Sequence, residues 1–394
     1  MEAGILQAEG EDEVVVHAAL ELSRSGWLLA VQGPSDGRPS HHKIAAGDAK
    51  RVLHLMAQAR CASARRLGHD HVRVASCYEA GYEGFWLHRV LAAAGVESFV
   101  VDPSSLRVDR RAKRRKTDRI DVETILRALI AWRHGARDEC SMVVVPETAA
   151  EDERRLSRER GRMVQERTAH VNRIKGLLMT VGIYDVAPLA ADWRARLAAL
   201  VTGDGRPLPP RLAAEIGREI ERLVVLQEQI AIVERERDGR QGEQRAGTPA
   251  AGQATDPTTP RGRIAQLQKL RAVGPETASV LQSEVFYRHF DNRRQVASYV
   301  GLDPSPWSSG TTMREQGISK AGNRRARHAL IELAWMWLHW QPASALAIWF
   351  RKRVGVAKGR ARRTMIVALA RKLLIAVWRF LEFGVVPTGA VVRG

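Results

Sequence analysis

Cysteine is scarce in this sequence, and no apolar run approaches the length of a membrane span. Three cysteines occur among 394 residues, at spacings that fit neither a metal site nor a disulfide framework: Cys61, Cys77 and Cys140. Such usage is typical of a reducing compartment. The apolar stretch 365–383 is interrupted by three cations, which argues against a membrane-spanning helix. The acidic amino terminus is the opposite of a signal peptide, so we expect a cytoplasmic protein.

Acidic residues are outnumbered by basic ones. The chain has 44 Asp and Glu against 62 Lys and Arg, a net charge of +18 and a pI of about 10.6. An excess this large indicates a polyanionic partner, DNA or RNA or both, although a solvated Arg-rich surface is the simpler alternative. Hydrophobic residues make up 45% of the chain, which indicates a globular protein of two or three domains.

Residues 13–147 alternate between strand and helix patterns. An antiparallel pair, Val14–Leu22 and Trp27–Val31, is joined by a tight turn. The patterns that follow predict three more strands and three helices in the order His42–Ala45, Asp48–Leu67, His71–Cys77, Gly84–Ala94, Ser98–Val101 and Arg119–Trp132. This order predicts an α/β sheet with helices on both faces.

Four carboxylates are predicted to lie near the carboxyl ends of the strands, where functional groups of α/β sheets are usually found. Glu21 and Glu79 lie at the carboxyl ends of strands, and Asp118 and Asp121 share a face at the start of a helix. Together they could hold two divalent ions, with Mg²⁺ the expected metal, for phosphodiester cleavage. Each also has a simpler interpretation, since Asp118 could stabilise its helix end and the glutamates could be turn or surface residues. A basic run just before the helix suits contact with phosphates: Arg110, Arg111, Lys113, Arg114, Arg115 and Lys116.

Residues 148–237 predict a helical segment with heptad seams. Apolar residues recur every seven positions in 151–181 and again in 215–236. The pattern fits an intrachain helical hairpin and a coiled coil between chains equally well. Arginines on the outer face of the first helix could form a phosphate track: Arg154, Arg155, Arg158, Arg160, Arg162, Arg167 and Arg173. Residues 238–262 lack large apolar side chains and predict a flexible linker.

Residues 263–394 are predicted to be mainly helical. Leu267–Val285 predicts two helices joined by a turn, either a plain helical turn or a helix-hairpin-helix-like element whose amides bind phosphate. A loop at 301–310 precedes a run of small and basic residues at 317–327 that suits a nucleic-acid backbone. A second basic cluster at 351–363 could bind phosphates, and nearby tryptophans could stack on bases or pack in the core. The predicted nucleic-acid contacts are Gly274, Lys320, Asn323, Arg324 and Arg327.

Three stretches together resemble a known family. EAGYEG at 79–84, KTDRID at 116–121 and the order GLDP, SG, ISKAGNRRAR within 301–327 are similar to the DEDD-type transposases of the insertion-sequence family "one hundred and ten", relatives of the Piv-type DNA invertases. The resemblance implies a RuvC-like (RNase H-like) amino-terminal domain whose acidic positions match Glu21, Glu79, Asp118 and Asp121. The first of these is usually Asp in the family. The longer Glu21 implies either a shifted metal site or a different ligand.

The resemblance also implies a serine nucleophile that forms a covalent phosphoserine link to DNA. Ser309 matches the family motif best, with Ser308 as the alternative. No His is adjacent to it, so activation would come from the carboxylate–metal centre. Family members use a noncoding bridge RNA to pair with DNA, and strand exchange implies a homodimer or tetramer.

We therefore expect a nucleoid-associated DNA transposase or recombinase that cuts and rejoins DNA. The alternatives are a structure-selective nuclease, such as a Holliday-junction resolvase, and a non-catalytic nucleic-acid-binding protein.

Overall fold

The computed structural model describes residues 14–106, 117–190, 192–239, 256, 258–309 and 312–393. The chain forms two compact units, Met1–Val145 and Pro146–Gly394. The second unit thus contains both the helical segment 148–237 and the carboxy-terminal residues 263–394, which the sequence predicts as separate domains. Within the described ranges, no helix is long and apolar enough to cross a membrane.

A five-stranded mixed sheet forms the centre of the first unit. Its strands are β1 (Val14–Leu22), β2 (Trp27–Gln32), β3 (Ser40–Ile44), β4 (Val72–Glu79) and β5 (Glu97–Val101), in the order β3-β2-β1-β4-β5. The pairs β1–β2 and β2–β3 are antiparallel, whereas β1–β4 and β4–β5 are parallel. Each predicted strand is confirmed, because apolar runs bounded by turns are a strong signal for buried strands.

Helices cover both faces of this sheet. The helices are α1 (Ala49–Leu67), α2 (Trp86–Ala93) and α3 (Asp118–Arg133). Alternate residues of β1 divide between two cores, since Val16 and Leu20 pack with α1 and α2 whereas Val15 and Ala19 pack with α3. This arrangement confirms the predicted α/β class and is consistent with the RuvC-like domain that the resemblance implies.

The second unit begins with a helical hairpin. The helices α4 (Thr148–Met179) and α6 (Pro210–Arg237) pack against each other, with the short helix α5 (Trp193–Ala199) between them in the chain. Predicted heptad residues such as Ile174, Leu178 and Leu223 are buried in their shared core. The structure therefore shows the intrachain hairpin, and a coiled coil between chains stays a prediction.

In the described part of the chain, six helices and a β-hairpin follow the helical hairpin in the second unit. The helices are α7 (Pro260–Lys269), α8 (Pro275–Glu284), α9 (Arg293–Val300), α10 (Arg324–Trp340), α11 (Ala345–Val354) and α12 (Gly359–Phe383). The predicted linker 238–262 is too long at its end, because α7 already begins at Pro260. The Thr259 hydroxyl accepts a hydrogen bond from the Gly262 amide at 3.1 Å, and proline is well suited to the first helical position. Residues 240–255 and 257 of the linker lie outside the described residues.

The predicted loop at 301–310 is wrong in part, because most of it belongs to a hairpin. Strands β6 (Pro304–Ser309) and β7 (Thr312–Ile318) pair antiparallel, with an irregularity between Pro304 and Pro306. Proline lacks an amide proton and is rare in central strands, so the sequence pattern concealed this two-stranded ladder.

Candidate functional site

Glu21 and Glu79 lie at the ends of two neighbouring parallel strands. β1 and β4 pair from Val14 opposite Val72 to Leu20 opposite Tyr78, so each glutamate is the next residue of its strand. Side chains alternate along a strand, and both glutamates therefore share the side of the sheet that faces α3. Both are half-buried. The sheet brings these two predicted acids side by side, on strands about 4.8 Å apart.

Asp118 and Asp121 belong to the first turn of α3. The Thr117 hydroxyl caps this helix by accepting a hydrogen bond from the amide of residue 120 at 3.3 Å. Asp118 lines a cavity together with Trp27 at the end of the sheet where β1 finishes, whereas Arg133 at the far end of α3 pairs with Glu97 at the start of β5. The amino-terminal turn of α3 therefore lies at the same carboxyl edge as Glu21 and Glu79.

The four carboxylates share an edge without forming a closed set of metal ligands. In the described ranges, no group of three or more His, Cys, Asp or Glu side chains is arranged to hold a metal ion. The donor set itself consists of carboxylate oxygens, which are the ligands that Mg²⁺ prefers. The chemistry of these residues thus fits a divalent ion. The predicted ligand set of Glu21, Glu79, Asp118 and Asp121 stays a prediction.

A cavity of about 590 Å³ lies beside Asp118. Lys43 and Arg119 contribute positive charge to its lining. Glu123 accepts a hydrogen bond from Arg119 Nε at 3.0 Å and lies 3.1 Å from His41 Nε2. The Arg119 hydrogen bond lowers the pKa of Glu123. These contacts orient Arg119 beside the acidic edge, so side chains of both charges lie around the cavity.

The basic run predicted to precede α3 lies outside the described residues. Its proposed nucleic-acid contacts therefore stay predictions: Arg110, Arg111, Lys113, Arg114, Arg115 and Lys116.

Ser309, the predicted nucleophile, and Ser308, its alternative, belong to the β6–β7 hairpin in the second unit. Ser308 pairs with Met313 and Ser309 with Thr312. Their backbone is described and their side chains are not. The structure thus places both serines at the hairpin's distal end, and their chemical roles stay predictions.

The base of this hairpin is fastened by backbone contacts. The amides of Ser319 and Asn323 donate to the carbonyls of Asp303 and Tyr299, at 2.8 and 2.9 Å. Gly322 has a φ of +96°, and a Cβ there would lie 2.3 Å from the Tyr299 oxygen. Glycine is therefore required at this point of the predicted motif because another backbone segment lies against it.

The predicted contact residues of the 317–327 run divide into two groups. Lys320 and Arg324 are exposed. Asn323 caps α10, since its Oδ1 accepts from the Ala326 amide at 3.0 Å, and Arg327 donates to the Val300 carbonyl at 2.8 Å. Asn323 and Arg327 thus hold the motif together, and Lys320 and Arg324 are the ones presented to solvent.

Gly274, in the turn between α7 and α8, starts α8 with an ordinary φ of −88°. A Cβ added to it would meet nothing within 4 Å. The left-handed residue of this turn is Ala272, with a φ of 100°. No packing within the described part of the chain demands glycine at position 274, and its predicted phosphate contact stays a prediction.

A buried ion pair, not recognised from the sequence, supports the same motif. Glu284 is 1% exposed and accepts two hydrogen bonds from Arg158, at 2.8 and 3.0 Å. Its Oε2 also accepts from the Asn323 side-chain amide at 2.9 Å. Burial by itself would raise the pKa of Glu284, but the hydrogen bonds and charge of Arg158 outweigh burial and hold that pKa below its usual value. Glu284 is therefore charged at neutral pH and orients the residue that caps α10.

Several of the α4 arginines that were predicted to bind phosphates are buried or paired with acids within the second unit. Arg154 is buried, Arg158 pairs with Glu284, and Arg160 Nε lies 2.6 Å from Glu234. Arg173 pairs with Glu219 at 3.2 Å. Arg158, Arg160 and Arg173 thus neutralise acids of the second unit, which a heptad pattern could not reveal.

Two family models match the sequence. A model described as the transposase IS116/IS110/IS902 family matches residues 264–348, which include Ser309 and the 317–327 run. A DEDD transposase model of the IS110 type matches residues 36–183, which include Glu79, Asp118 and Asp121, whereas Glu21 precedes the matched range.

Similar proteins cover three quarters or more of this chain. A candidate transposase of Sinorhizobium fredii, y4rJ, is 47% identical over 96% of this chain and 94% of its own length. The transposase for insertion sequence element IS1111A of Coxiella burnetii is 26% identical over 75% of this chain and 74% of its own length. The identity and coverage shared with y4rJ, together with the two matched models, show that this chain belongs to the IS110 family of DEDD transposases.

Proposed function

We propose that this transposase cuts and rejoins DNA with two sets of residues. The carboxylates Glu21, Glu79, Asp118 and Asp121 would hold Mg²⁺, two ions per site, and Ser309 would form a transient covalent bond with DNA. The observation that carries the first part is the meeting of β1, β4 and the start of α3 at one edge of the sheet. Bound Mg²⁺ would supply positive charge that stabilises the phosphate during cleavage.

The chain's own residues would carry the bond changes. The Ser309 oxygen would attack a phosphodiester phosphorus and give up its proton to a carboxylate or water. The strand oxygen would leave as a hydroxyl, taking up one proton. Attack by a hydroxyl of another strand would then break the phosphoserine bond and restore Ser309, which rejoins DNA without an external energy source.

Target choice and assembly complete the proposal. By resemblance to the family, a bridge RNA would select the DNA by base pairing, while the protein contributes positive charge and shape recognition. Strand exchange brings several active sites together, so a homodimer or tetramer is proposed. The net charge of +18 supports a nucleic-acid partner.

Purified protein, its flanking noncoding RNA and plasmids carrying the element ends provide the test. Asp118→Asn is expected to lower Mg²⁺-dependent recombination at least about 100-fold while DNA binding persists, because the change removes a charge that acts on the cleaved phosphate. Recombination by Asp118→Asn at the full rate would overturn the carboxylate proposal. A reaction independent of added RNA would overturn RNA guidance alone.

Ser309→Ala and Ser308→Ala form the matched pair for the nucleophile. We expect Ser309→Ala to abolish a denaturant-resistant protein–DNA adduct and Ser308→Ala to retain it. Cleavage by Ser309→Ala without an adduct or rejoining would instead indicate a resolvase-like nuclease that uses the carboxylates alone.

A further inference from the structure

One part of the second unit carries strongly unbalanced charge. Residues 333–381 contain no Asp or Glu and ten Lys or Arg. Arg371 reaches a described carboxylate, that of Asp303 at 3.5 Å. The other nine are exposed and, within the described ranges, none of them forms an ion pair. Seven of the nine lie in residues 351–363. We call these seven the basic surface: Arg351, Lys352, Arg353, Lys358, Arg360, Arg362 and Arg363.

The positive charges of the basic surface do not stabilise the fold. Arg360, Arg362 and Arg363 lie in the first turns of α12, where positive charge is unfavourable because the helix dipole is already positive there. Like charges in one short segment also repel each other. Both costs are relieved when an anion binds, so the basic surface is suited to a polyanion rather than to water alone.

Aromatic side chains accompany the basic surface. The Arg362 guanidinium lies over the Trp335 ring at 5.2 Å, and Trp335 remains 39% exposed. Trp337, two residues along α10, is completely buried and donates its indole N–H to Ser344. Trp337 therefore serves the core, whereas much of Trp335 is left in solvent beside a cation.

We propose that the basic surface and Trp335 bind an unpaired polynucleotide strand. Cations would contact successive phosphates while a base stacks against the exposed indole, the combination by which proteins hold single strands. A duplex would satisfy the cations but hides the faces of its bases, so the exposed indole favours the unpaired strand. This proposal rests on the proposed function only in so far as cutting and rejoining DNA exposes single strands.

Binding is measured in EDTA with Asp118→Asn protein, so that failure of the metal-dependent chemistry does not affect the result. Fluorescently labelled 20-nucleotide single strands, as DNA and as RNA of the same sequence, are titrated at several salt concentrations beside the matching DNA duplex. R360A/R362A/R363A is expected to lower the slope of log affinity against log salt by about 2, because each phosphate contact contributes about 0.7 for single strands. Trp335→Ala should weaken single-strand binding roughly tenfold and leave duplex binding unchanged, whereas Trp335→Phe retains most of the affinity.

Two controls make the result decisive. R51A/R60A/R65A removes three exposed cations from α1 and lowers the net charge equally, and R360K/R362K/R363K preserves the charge of the basic surface. The proposal requires the α1 variant and the lysine variant to keep the wild-type slope. Equal losses in the α1 and α12 alanine variants, or equal effects of Trp335→Ala on single strand and duplex, would overturn it. The DNA and RNA arms show which strand is preferred.

Discussion

Glu284→Gln would test whether the buried ion pair stabilises the second unit. The substitution keeps the side chain's shape but replaces one acceptor oxygen by an NH2 group, which donates, so the remaining oxygen cannot accept all three hydrogen bonds from Arg158 and Asn323. A hydrogen bond to a charged group contributes about 1.5–3 kcal/mol. Glu284 is buried, whereas the Arg158 side chain is 51% exposed and remains partly hydrated. We therefore expect a loss of about 2–3 kcal/mol.

For a unit of this size, each kcal/mol lowers the midpoint of thermal unfolding by about 2–4 °C. Calorimetry of Glu284→Gln, with the exposed Glu159→Gln as the matched control, measures this loss. Arg158→Met alone and in combination completes a double-mutant cycle, in which we expect a coupling energy above about 1 kcal/mol.

The same ion pair predicts a dependence on pH. The pKa of Glu284 is lowered in the folded protein, so the unfolded chain binds the proton more readily. The stabilisation is therefore present above the unfolded pKa of the carboxyl group and is lost as the pH falls through the folded value. The gap between wild type and Glu284→Gln should stay constant near neutrality and narrow in acid. A loss below about 0.5 kcal/mol, or a gap independent of pH down to acid unfolding, would refute this reasoning.

Two further predictions concern backbone geometry and a buried histidine. Gly322→Ala should destabilise the second unit by more than about 2 kcal/mol, since its Cβ would clash with the Tyr299 carbonyl, whereas Gly317→Ala, at φ +93° with open space around it, should cost only about 1 kcal/mol in calorimetry. Equal losses would contradict the clash. Burial, with Arg133 nearby, lowers the pKa of His17 to about 4, so stability should fall as the pH drops from 6.5 to 4. His17→Phe should flatten that part of the pH–stability curve, and an unchanged slope would count against it.

The elements of the first unit could be predicted because local patterns determine them. Apolar residues fill both faces of β1, and Thr117 followed by Asp118 is a typical helix start. The position of Glu21 and Glu79 at one edge of the sheet could also be predicted, because both lie at the carboxyl ends of strands. These two strands are parallel neighbours in the structure. In these cases, residues close together in the sequence were enough to predict the element.

The missed features depend on contacts between distant residues. Glu284 is 126 positions from Arg158 and 39 from Asn323, so nothing beside it in sequence indicates a buried charge. The β6–β7 ladder was concealed by its prolines, whose place in a two-stranded hairpin only the fold reveals.

Backbone contacts at the base of the β6–β7 hairpin mark the boundary between the hairpin and the helices that hold it. Gly301 and Gly322 bring two backbone segments together, while Val300 and Leu302 are anchored in the core. The two ends of the hairpin segment therefore meet at one place on the second unit. A hairpin from a relative, inserted between Leu302 and Ile318 so that both core contacts are kept, should therefore be accepted without repacking the interior of the second unit.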